Sequence, residues 1–484
     1  MNMDEQELLD VGNKAVKHAQ ASGADEAEAF VYMENQAIVQ FVGGIFASRS
    51  GAVKGLKGTF ARIAEPWLKK KGLSMISSGQ KAGVGIRSVV NKAVGFSSVS
   101  SIEEKKTLEA AEEATKIAKI RPPDPNWSSL PDAKTPTGEG GIYDKRILEL
   151  EIEPLLESCS GCCVVMGDFD KRIVQAMTMI TATSASFATL NTNGVEAFDR
   201  GTDLTGFFMV KAKSGSEEVS SGEELISREY PEDFYSLATN ASKRTIECLG
   251  KKPLPQKYAG EVLFENVSWN ELFSVIFPSG VSALNVQENR SVYKGRIESQ
   301  IAKEILSIAD DGTLPRGFGT TKIDDEGIPR QKTPVIEKGV LSGILFDNYT
   351  AKRESRESTG NASRQWGSGA AYANQPMIRP SNLVLSPGAG SFDDLLRQIG
   401  NGVLVKGSLT GALHSNVITG DFSVNASNAF KIENGQVAYP LKPCTVAGNL
   451  YEALNSVVAI GNDTRSFRTV LCPSLIIDKI VVST

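Results

Sequence analysis

The stretch FKIENGQVAY, residues 430–439, predicts a β-hairpin and indicates the character of the second half of the chain. Two β-rich runs flank an Asn-Gly pair, which suits a type I′ turn because both residues tolerate positive φ. A second hairpin is predicted at 335–341 (VIEKGVL), and a short apolar strand at 475–482 (LIIDKIVV). We therefore expect the C-terminal part of the chain to be dominated by β-structure.

The first half combines helices with strands. Residues 5–22 place apolar side chains on one helical face, whereas those of 27–33 alternate as in a strand. Ser101 and Glu104 match a capping box, which predicts the start of a helix that Pro122 ends. Further predictions are a strand pair at 83–88 and 92–98 and helices at 144–158 and 231–249. The fold class is α+β: a mixed α/β N-terminal lobe followed by a β-rich C-terminal lobe.

Proline-containing segments divide the chain. Five prolines between residues 121 and 141 predict a partly extended connector, and a Pro-bearing break follows at 251–255. The predicted domains are an N-terminal α/β subdomain at 1–120, the connector with a middle α/β subdomain at 121–250, and a β-rich C-terminal domain at 251–484.

Composition limits the classes of function. Of 484 residues 41% are hydrophobic, as in an ordinary globular protein, and 52 Lys and Arg stand against 57 Asp and Glu. An acidic chain gives no reason to expect nucleic acid or an anionic membrane as partner. The N-terminus lacks the pattern of a signal peptide, and no apolar run approaches the roughly 20 residues that span a bilayer. We therefore expect a cytoplasmic protein.

Cys159, Cys162 and Cys163 form a CxxC with a further cysteine. A structural zinc site needs about four ligands and the chain has no second CxxC, while a redox motif is expected at a helix N-terminus. The spacing favours packing of three small sulfur side chains on one helical face.

Three acidic clusters, at 310–311, 324–326 and 421, could bind cations or act in acid–base chemistry. We favour a structural interpretation, because Asp is common in tight turns and both 311 and 326 precede glycine. The segment 43–81 carries eight basic residues and one acid, which suits either contact with a phosphate or acidic partner or, as we favour, a solvated loop.

The usual catalytic motifs are absent. No HExxH, GxSxG or Walker A sequence occurs, and the chain has only two histidines, His18 and His414. A lone histidine is more often a hydrogen-bonding residue than a catalyst. His414 keeps the second interpretation open because it lies in a Gly-, Ser- and Asn-rich segment, 411–425, between β-rich stretches.

An ordered set of sequence blocks resembles the TldD/PmbA family, also called modulators of DNA gyrase. The blocks are 308–313 (IADDGT), 323–327 (IDDEG), 336–341 (IEKGVL), 358–362 (STGNA), 416–422 (NVITGDF), 432–435 (IENG), 447–449 (AGN) and 458–463 (VAIGND), with weaker matches at 83–87 and 94–96. The resemblance implies the same two-lobed arrangement. The basic segment 43–81 is longer than the family usually carries there.

One branch of this family resembles a zinc metallopeptidase with an HExxxH helix and a cysteine ligand near the C-terminus. Zinc in such a site activates water and polarises the scissile carbonyl. Counting back without gaps from residue 310, the motif falls at 274–279, here SVIFPS, which lacks both imidazoles and the Glu. Cys472 lies near the family's cysteine position but cannot hold zinc alone. The chain therefore resembles the TldE/PmbA branch, which pairs with the first.

The resemblance implies a non-catalytic subunit of a TldD/TldE-type heterodimeric zinc peptidase. It implies no catalytic residue and no metal in this chain, with zinc held by a TldD-type partner. The substrate would be an extended peptide or unfolded protein segment, bound by strand addition in a cleft that this subunit helps to form. The residues predicted to line that cleft are His414, Asn416, Asp421 and Asn425.

Two other hypotheses remain at the level of sequence. The chain could be a homodimeric scaffold that binds a peptide, a toxin or DNA gyrase without hydrolysis. Alternatively, His414, Cys444 and Cys472 could form a metal site that no known motif describes.

Overall fold

The computed structural model describes residues 4–44, 72–136, 143–365 and 369–483. Most of the basic segment 43–81 and part of the connector 121–141 lie outside the described residues.

The first half builds one antiparallel six-stranded sheet in the order β3-β2-β1-β4-β5-β6. Its strands are β1 (Glu26–Gly44), β2 (Leu73–Val90), β3 (Ala93–Val99), β4 (Ile173–Asn191), β5 (Glu196–Ser214) and β6 (Glu217–Ser227). Strands β1 and β4 pair along their whole length, from Glu28 opposite Asn191 to Gly44 opposite Gln175. Three strands from each of the segments 1–120 and 121–250 are thus hydrogen-bonded into a single layer.

Helices cover one face of this sheet. They are α1 (Glu5–Ala21), α2 (Glu104–Ile120), α3 (Lys145–Leu148), α4 (Ile152–Asp168) and α5 (Tyr235–Glu247). The predicted first helix is confirmed, and Gly23 follows it at φ +97°. The three clustered cysteines are buried in α4, in the core that α4 and α5 form with the sheet, which confirms the packing interpretation.

Two details of the predicted helices are wrong. The capping box at Ser101 and Glu104 does not form, because Glu103 is the N-cap of α2 and the Ser101 hydroxyl accepts the Glu103 N–H instead. The helix expected at 144–158 is two helices, α3 and α4, and the second continues to Asp168.

The second half contains two larger sheets. One has the order β10-β9-β8-β13-β22-β21; the other has the order β15-β16-β19-β23-β7-β14-β17-β18, with β20 also paired to β23. Two short strands, β11 and β12, pair separately. The bounds are β7 (Tyr258–Phe264), β8 (Ile308–Asp311), β9 (Lys332–Glu337), β10 (Val340–Leu341), β11 (Ala362–Ser363), β12 (Met377–Ile378), β13 (Leu383–Leu385), β14 (Gly402–Val405), β15 (Leu409–Thr410), β16 (Asp421–Ala426), β17 (Ala429–Glu433), β18 (Gln436–Pro440), β19 (Cys444–Asn449), β20 (Val457–Ile460), β21 (Arg465–Phe467), β22 (Val470–Cys472) and β23 (Leu475–Ser483).

Both predicted hairpins are confirmed. Lys338 and Gly339 connect β9 to β10 at φ +48° and +79°, and Asn434 and Gly435 connect β17 to β18 at +51° and +74°. Positive φ at both central residues is the signature of a type I′ turn. The apolar strand predicted at 475–482 is β23.

In the described part of the second half, the helices are α6 (Asn266–Gly280), α7 (Ala283–Gln287), α8 (Asn348–Arg353), α9 (Phe392–Ile399) and α10 (Leu450–Asn455), with 3-10 turns at Ala371–Ala373 and Ala412–His414. The longest, α6, is anchored by buried aromatic rings. Phe273 and Phe277, one turn apart, stack with centroids 4.5 Å apart, and Trp269 continues the row. This packing fixes which side of α6 is left open.

The free face of the N-terminal sheet meets the C-terminal half at strands β1 and β4, among other places. Phe30 and Phe187 pack there against Ile323 and Ala371. Beside them, the buried Arg87 guanidinium pairs with Glu28 at 2.7 Å and with Glu326 at 2.8 Å. The two halves are therefore joined by apolar and ionic contacts.

The acidic cluster 324–326 forms the expected turn, and its carboxylates also make buried contacts. Gly327 has φ +82°, and its N–H donates to the Asp324 carbonyl. All three carboxylates are nevertheless buried, with Glu326 on Arg87 and Asp325 accepting the backbone N–H of Arg364. The structural interpretation agrees with this arrangement, in which each buried carboxylate has a donor.

Among the described residues, no helix is both long and apolar enough to cross a membrane.

Candidate functional site

Helix α6 carries an open face. Glu271, Ser274, Val275, Pro278 and Ser279 are partly exposed, whereas the intervening side chains are buried. The spacing of three and four residues places the exposed positions on one side of the helix. Positions 274, 275 and 279, where the resemblance places two histidines and a glutamate, all belong to this face.

The side chains present on this face do not fit a zinc ion. The Ser274 hydroxyl donates to the Glu271 carbonyl at 3.1 Å, and the Ser279 hydroxyl accepts from the Asn285 amide at 3.0 Å. Neither is an imidazole, a thiolate or a carboxylate, the ligands that zinc takes in proteins.

Cys472 does not supply the missing ligand. It lies on β22, which packs against α6, but it is fully buried, and burial raises the pKa of its thiol well above the ordinary value. In the described part of the chain, no group of three or more His, Cys, Asp or Glu side chains is placed to hold a metal ion. His414, Cys444 and Cys472 thus do not form the metal site considered from the sequence.

The four residues predicted to line a cleft all lie on an exposed surface of the C-terminal half. His414 ends a 3-10 turn, Asn416 follows it, and Asp421 and Asn425 point outward from β16. The structure brings two of them together, because the Asn416 N–H donates to the Asp421 carbonyl at 2.9 Å. Hydrogen bonds from Thr419 and Asn449 lower the pKa of Asp421.

The loop 411–420 that carries these residues lies beside α6 and exposes apolar side chains. The Tyr451 hydroxyl donates to the Val417 carbonyl at 3.0 Å, and the 3-10 turn of the loop packs on α6. Leu413 is 83% exposed and Ile418 46% exposed. Leu413 and Ile418 therefore form an exposed apolar rim on a loop that packs on α6.

A cavity of about 250 Å³ lies between the N-terminal sheet and the C-terminal half. Its apolar lining comprises Phe207 and Met209 of β5, Ile226 of β6, Val267 of α6 and Phe467 of β21. Thr410 also lines it and pairs with Asn425 in the β15–β16 register, but Asn425 itself does not line the cavity. The cavity and the loop 411–420 flank α6 at its two ends.

Charged side chains form a network at the cavity. Arg465 donates to Glu223 at 2.5 Å, Arg244 lies 3.2 Å from Glu223, and Arg244 also pairs with Glu265. Burial of Glu265 disfavours its charge, but Arg244, together with Lys406 and the Gly407 N–H, outweighs this effect and lowers the Glu265 pKa. Both guanidinium groups are thus engaged.

Glu224, the neighbour of Glu223 in β6, does not take part in this network of ion pairs. It lines the same cavity, and no described residue forms a hydrogen bond or ion pair with its carboxylate. Burial raises the pKa of Glu224 to about 6, although Arg468 and Arg465 act in the opposite direction.

Sequence reasoning missed Glu224 and the ionic network. The adjacent pair Glu223-Glu224 was a signal, because neighbouring side chains of a strand point to opposite faces and meet different surroundings. The partners could not be identified, since Arg465 lies more than 200 positions further along the chain.

The fold matches proteins described as TldE and as gyrase modulators. TldE from Thermococcus kodakarensis superposes with a TM-score of 0.82 at 23% identity, covering 98% of this chain and 99% of that one. A proposed modulator of a DNA gyrase from Thermotoga maritima gives 0.79 at 24% identity, covering 97% and 99%. These matches show that the chain has the same fold as these proteins.

Family models match three successive segments. They describe PmbA/TldA metallopeptidase domain 1 at residues 68–118, the central domain at 145–249 and the C-terminal domain at 255–484. These segments make up well over half of the chain, which therefore belongs to the PmbA/TldD family.

Several curated proteins are similar in sequence to this chain. An uncharacterized protein of Methanocaldococcus jannaschii is 28% identical over 412 residues, 84% of this chain and 91% of that one. A metalloprotease PmbA homolog of Haemophilus influenzae is 25% identical over 83% of this chain and 85% of its own length. A metalloprotease of Methanothermobacter thermautotrophicus is 32% identical, but the match spans about half of either chain.

Proposed function

We propose that this chain is the non-catalytic subunit of a TldD/TldE-type heterodimeric zinc metallopeptidase in the cytoplasm. It helps to form the cleft that binds extended peptides or unfolded protein segments for proteolysis. The observation that carries the proposal is the open face of α6: it presents Ser274, Val275 and Ser279 where a catalytic chain would present zinc ligands and a water-activating Glu. The TldD-type partner supplies the zinc and that Glu.

The apolar rim supports pairing with another chain. Leu413 and Ile418 stand in solvent beside α6, and exposed apolar residues next to a functional face are typical of an interaction surface. A partner that covers this rim also excludes water from the cleft.

The edge of β16 supports binding of an extended peptide. Strand β19 pairs with all of β16 on one side, whereas on the other side β15 reaches only Asn425 and Ala426. Along 422–424, no other described strand pairs with the outer edge. A peptide that adds there gains backbone hydrogen bonds without a strict sequence requirement.

The test is to purify the chain and a TldD-type partner separately and then to mix them. Size-exclusion chromatography, zinc analysis and casein hydrolysis are measured for each chain and for the mixture. We expect a complex with zinc and peptidase activity in the mixture, and neither in this chain alone. Failure to form any complex, or zinc-dependent hydrolysis by this chain alone, contradicts the proposal.

A second candidate is a homodimeric scaffold that binds a peptide or protein without hydrolysis, or modulates a toxin or DNA gyrase. The apolar rim favours it as well, because a second copy of the chain could cover Leu413 and Ile418. A stable homodimer without affinity for a TldD-type partner, in the same chromatography, decides for this candidate.

A further inference from the structure

The cavity between the N-terminal sheet and the C-terminal half has an apolar floor. Phe207 lies opposite Glu224 in the β5–β6 register, and Met209 lies two positions further along the same face. The floor continues onto β4, where Met177 and Met179 pair with Met209 and Phe207. Met209 is 42% exposed, and methionine adapts readily to ligands of varied shape.

Most of the charges around this floor pair with one another, whereas Arg468 acts on Glu224 without a direct contact. Arg465 is held by Glu223 and by the Glu224 backbone carbonyl, and Arg244 is shared between Glu223 and Glu265. Within the described residues, Glu224 has no such partner. A carboxylate beside apolar side chains gains most from a cationic donor that reaches it while burying an apolar stem.

We propose that this cavity binds the lysine side chain of an extended peptide, with its aliphatic stem on Phe207, Met209 and Ile226 and its ammonium group donating to Glu224. The long stem and terminal charge of lysine match a cavity that has an apolar floor and, beside it, a carboxylate without a direct partner. The volume of about 250 Å³ accommodates one side chain of this size rather than a folded partner. This inference takes from the proposed function only that the ligand is a peptide.

The groups that face Glu224 determine how binding responds to pH. Arg465 and Arg468 favour its charged form, whereas Glu223 and Glu271 disfavour it. Because the Glu224 pKa is about 6, its carboxylate is protonated below that pH and binds an ammonium group weakly. Affinity for lysine is therefore expected to increase as pH rises through about 6.

The experiment uses this chain alone and isothermal titration calorimetry. The ligand is a blocked pentapeptide with lysine between two alanines on each side, and its control has norleucine, which keeps the straight stem and lacks the ammonium group. We expect roughly tenfold or greater preference for lysine near neutral pH, and loss of that preference at about pH 5. Equal affinity for the two peptides in the unmodified protein overturns the proposal.

Variants identify the residue responsible. Glu224→Gln is expected to remove the preference for lysine and its pH dependence while leaving norleucine affinity unchanged. Glu218→Gln is the matched control, because Glu218 lies on the same strand, outside the cavity, and pairs with Lys211. A lysine preference that survives Glu224→Gln contradicts the assignment.

Free cadaverine separates a peptide site from a site for small amines. Cadaverine that binds as tightly as the lysine peptide overturns the peptide assignment, whereas much weaker binding supports it. No partner chain is present in these titrations. A negative result in these titrations therefore does not contradict subunit pairing. Conversely, a failure of the subunits to pair does not contradict lysine binding.

Discussion

Arg87 lies in a buried group of charges that joins the two halves of the molecule. Its guanidinium bonds to Glu28 on β1 and to Glu326 in the C-terminal half, and Arg364 pairs with the other oxygen of Glu28. Buried charges are tolerated here because each finds a partner of opposite sign. For the same reason, removal of one of these charged side chains is expected to destabilise the folded state.

Arg87→Ala is expected to lower the free energy of unfolding by about 3–5 kcal/mol, because it leaves Glu28 and Glu326 buried with less compensation. Chemical denaturation monitored by circular dichroism measures the change. Lys116→Ala is the control, since its ion pair with Glu112 is largely exposed and its removal should leave the midpoint unchanged. Equal midpoints for the two variants would show that the Arg87 cluster does not stabilise the fold.

The raised pKa of Glu224 also has a consequence for stability. Burial raises this pKa from 4.5 to about 6 on folding, so the folded state binds the proton more tightly than the unfolded state. Stability is therefore greatest below pH 4.5 with respect to this group and falls as pH rises through about 6.

Glu224→Gln should accordingly stabilise the protein at neutral pH by about 1–2 kcal/mol and have little effect below about pH 4.5. Denaturation of both proteins across this pH range measures the difference. A constant difference at every pH would exclude titration of Glu224 as its cause. Retention of a destabilising carboxylate beside a cavity is typical of a functional site.

At the scale of elements, the hairpins show how much of a turn the local sequence determines. Gly339 has φ +79° in the turn between β9 and β10, and a Cβ there would lie 2.3 Å from the Ala302 carbonyl oxygen. The turn is thus set by its own dihedral angles and by close contact with a neighbouring segment.

Gly339→Ala should destabilise the protein by more than about 2 kcal/mol, the sum of a left-handed alanine and a clash with backbone. Gly215→Ala is the matched control, because Gly215 also has positive φ, +62°, but no atom lies within 4 Å of its Cβ position. Its expected cost is about 1 kcal/mol. Thermal unfolding compares the two variants, and an equal loss in both would show that the contact with Ala302 is unimportant.

In helix α6 the residues that pack in the core and those of the open face lie on different sides. Trp269, Phe273 and Phe277 hold its buried side, so the open side is free to carry Ser274 and Ser279 without loss of the fold. The side chains on the open side of α6 can therefore vary without changing how the helix packs.

At the scale of the whole molecule, the apolar rim of the loop 411–420 gives a test of pairing. Leu413→Asp combined with Ile418→Asp should weaken the complex with a TldD-type partner at least tenfold, because charge is placed in a surface that the partner would bury. Ile120→Asp is the control: Ile120 is 84% exposed, like Leu413 at 83%, but ends α2 in the N-terminal half. Sedimentation or chromatography of the mixtures measures the complexes. Equal weakening by the control would mean that the rim is not the interface.

The sequence by itself determined the elements whose signals are local. The first helix, the hairpin turns at 338–339 and 434–435, and the last strand follow from periodicity and turn chemistry over a few residues. The ordered blocks were sufficient for the family, and the sequence alone shows serine at 274 and 279, where the resemblance to the family's catalytic branch predicts histidine.

Only the tertiary structure decided which distant residues meet. Glu326 lies more than 200 positions from Arg87, and Arg465 as far from Glu223, so no local pattern could reveal that the first pair is buried or that the second leaves Glu224 unpaired. The physical reason is that the cost of burying a charge depends on its neighbours in space. Sequence spacing alone does not specify those neighbours.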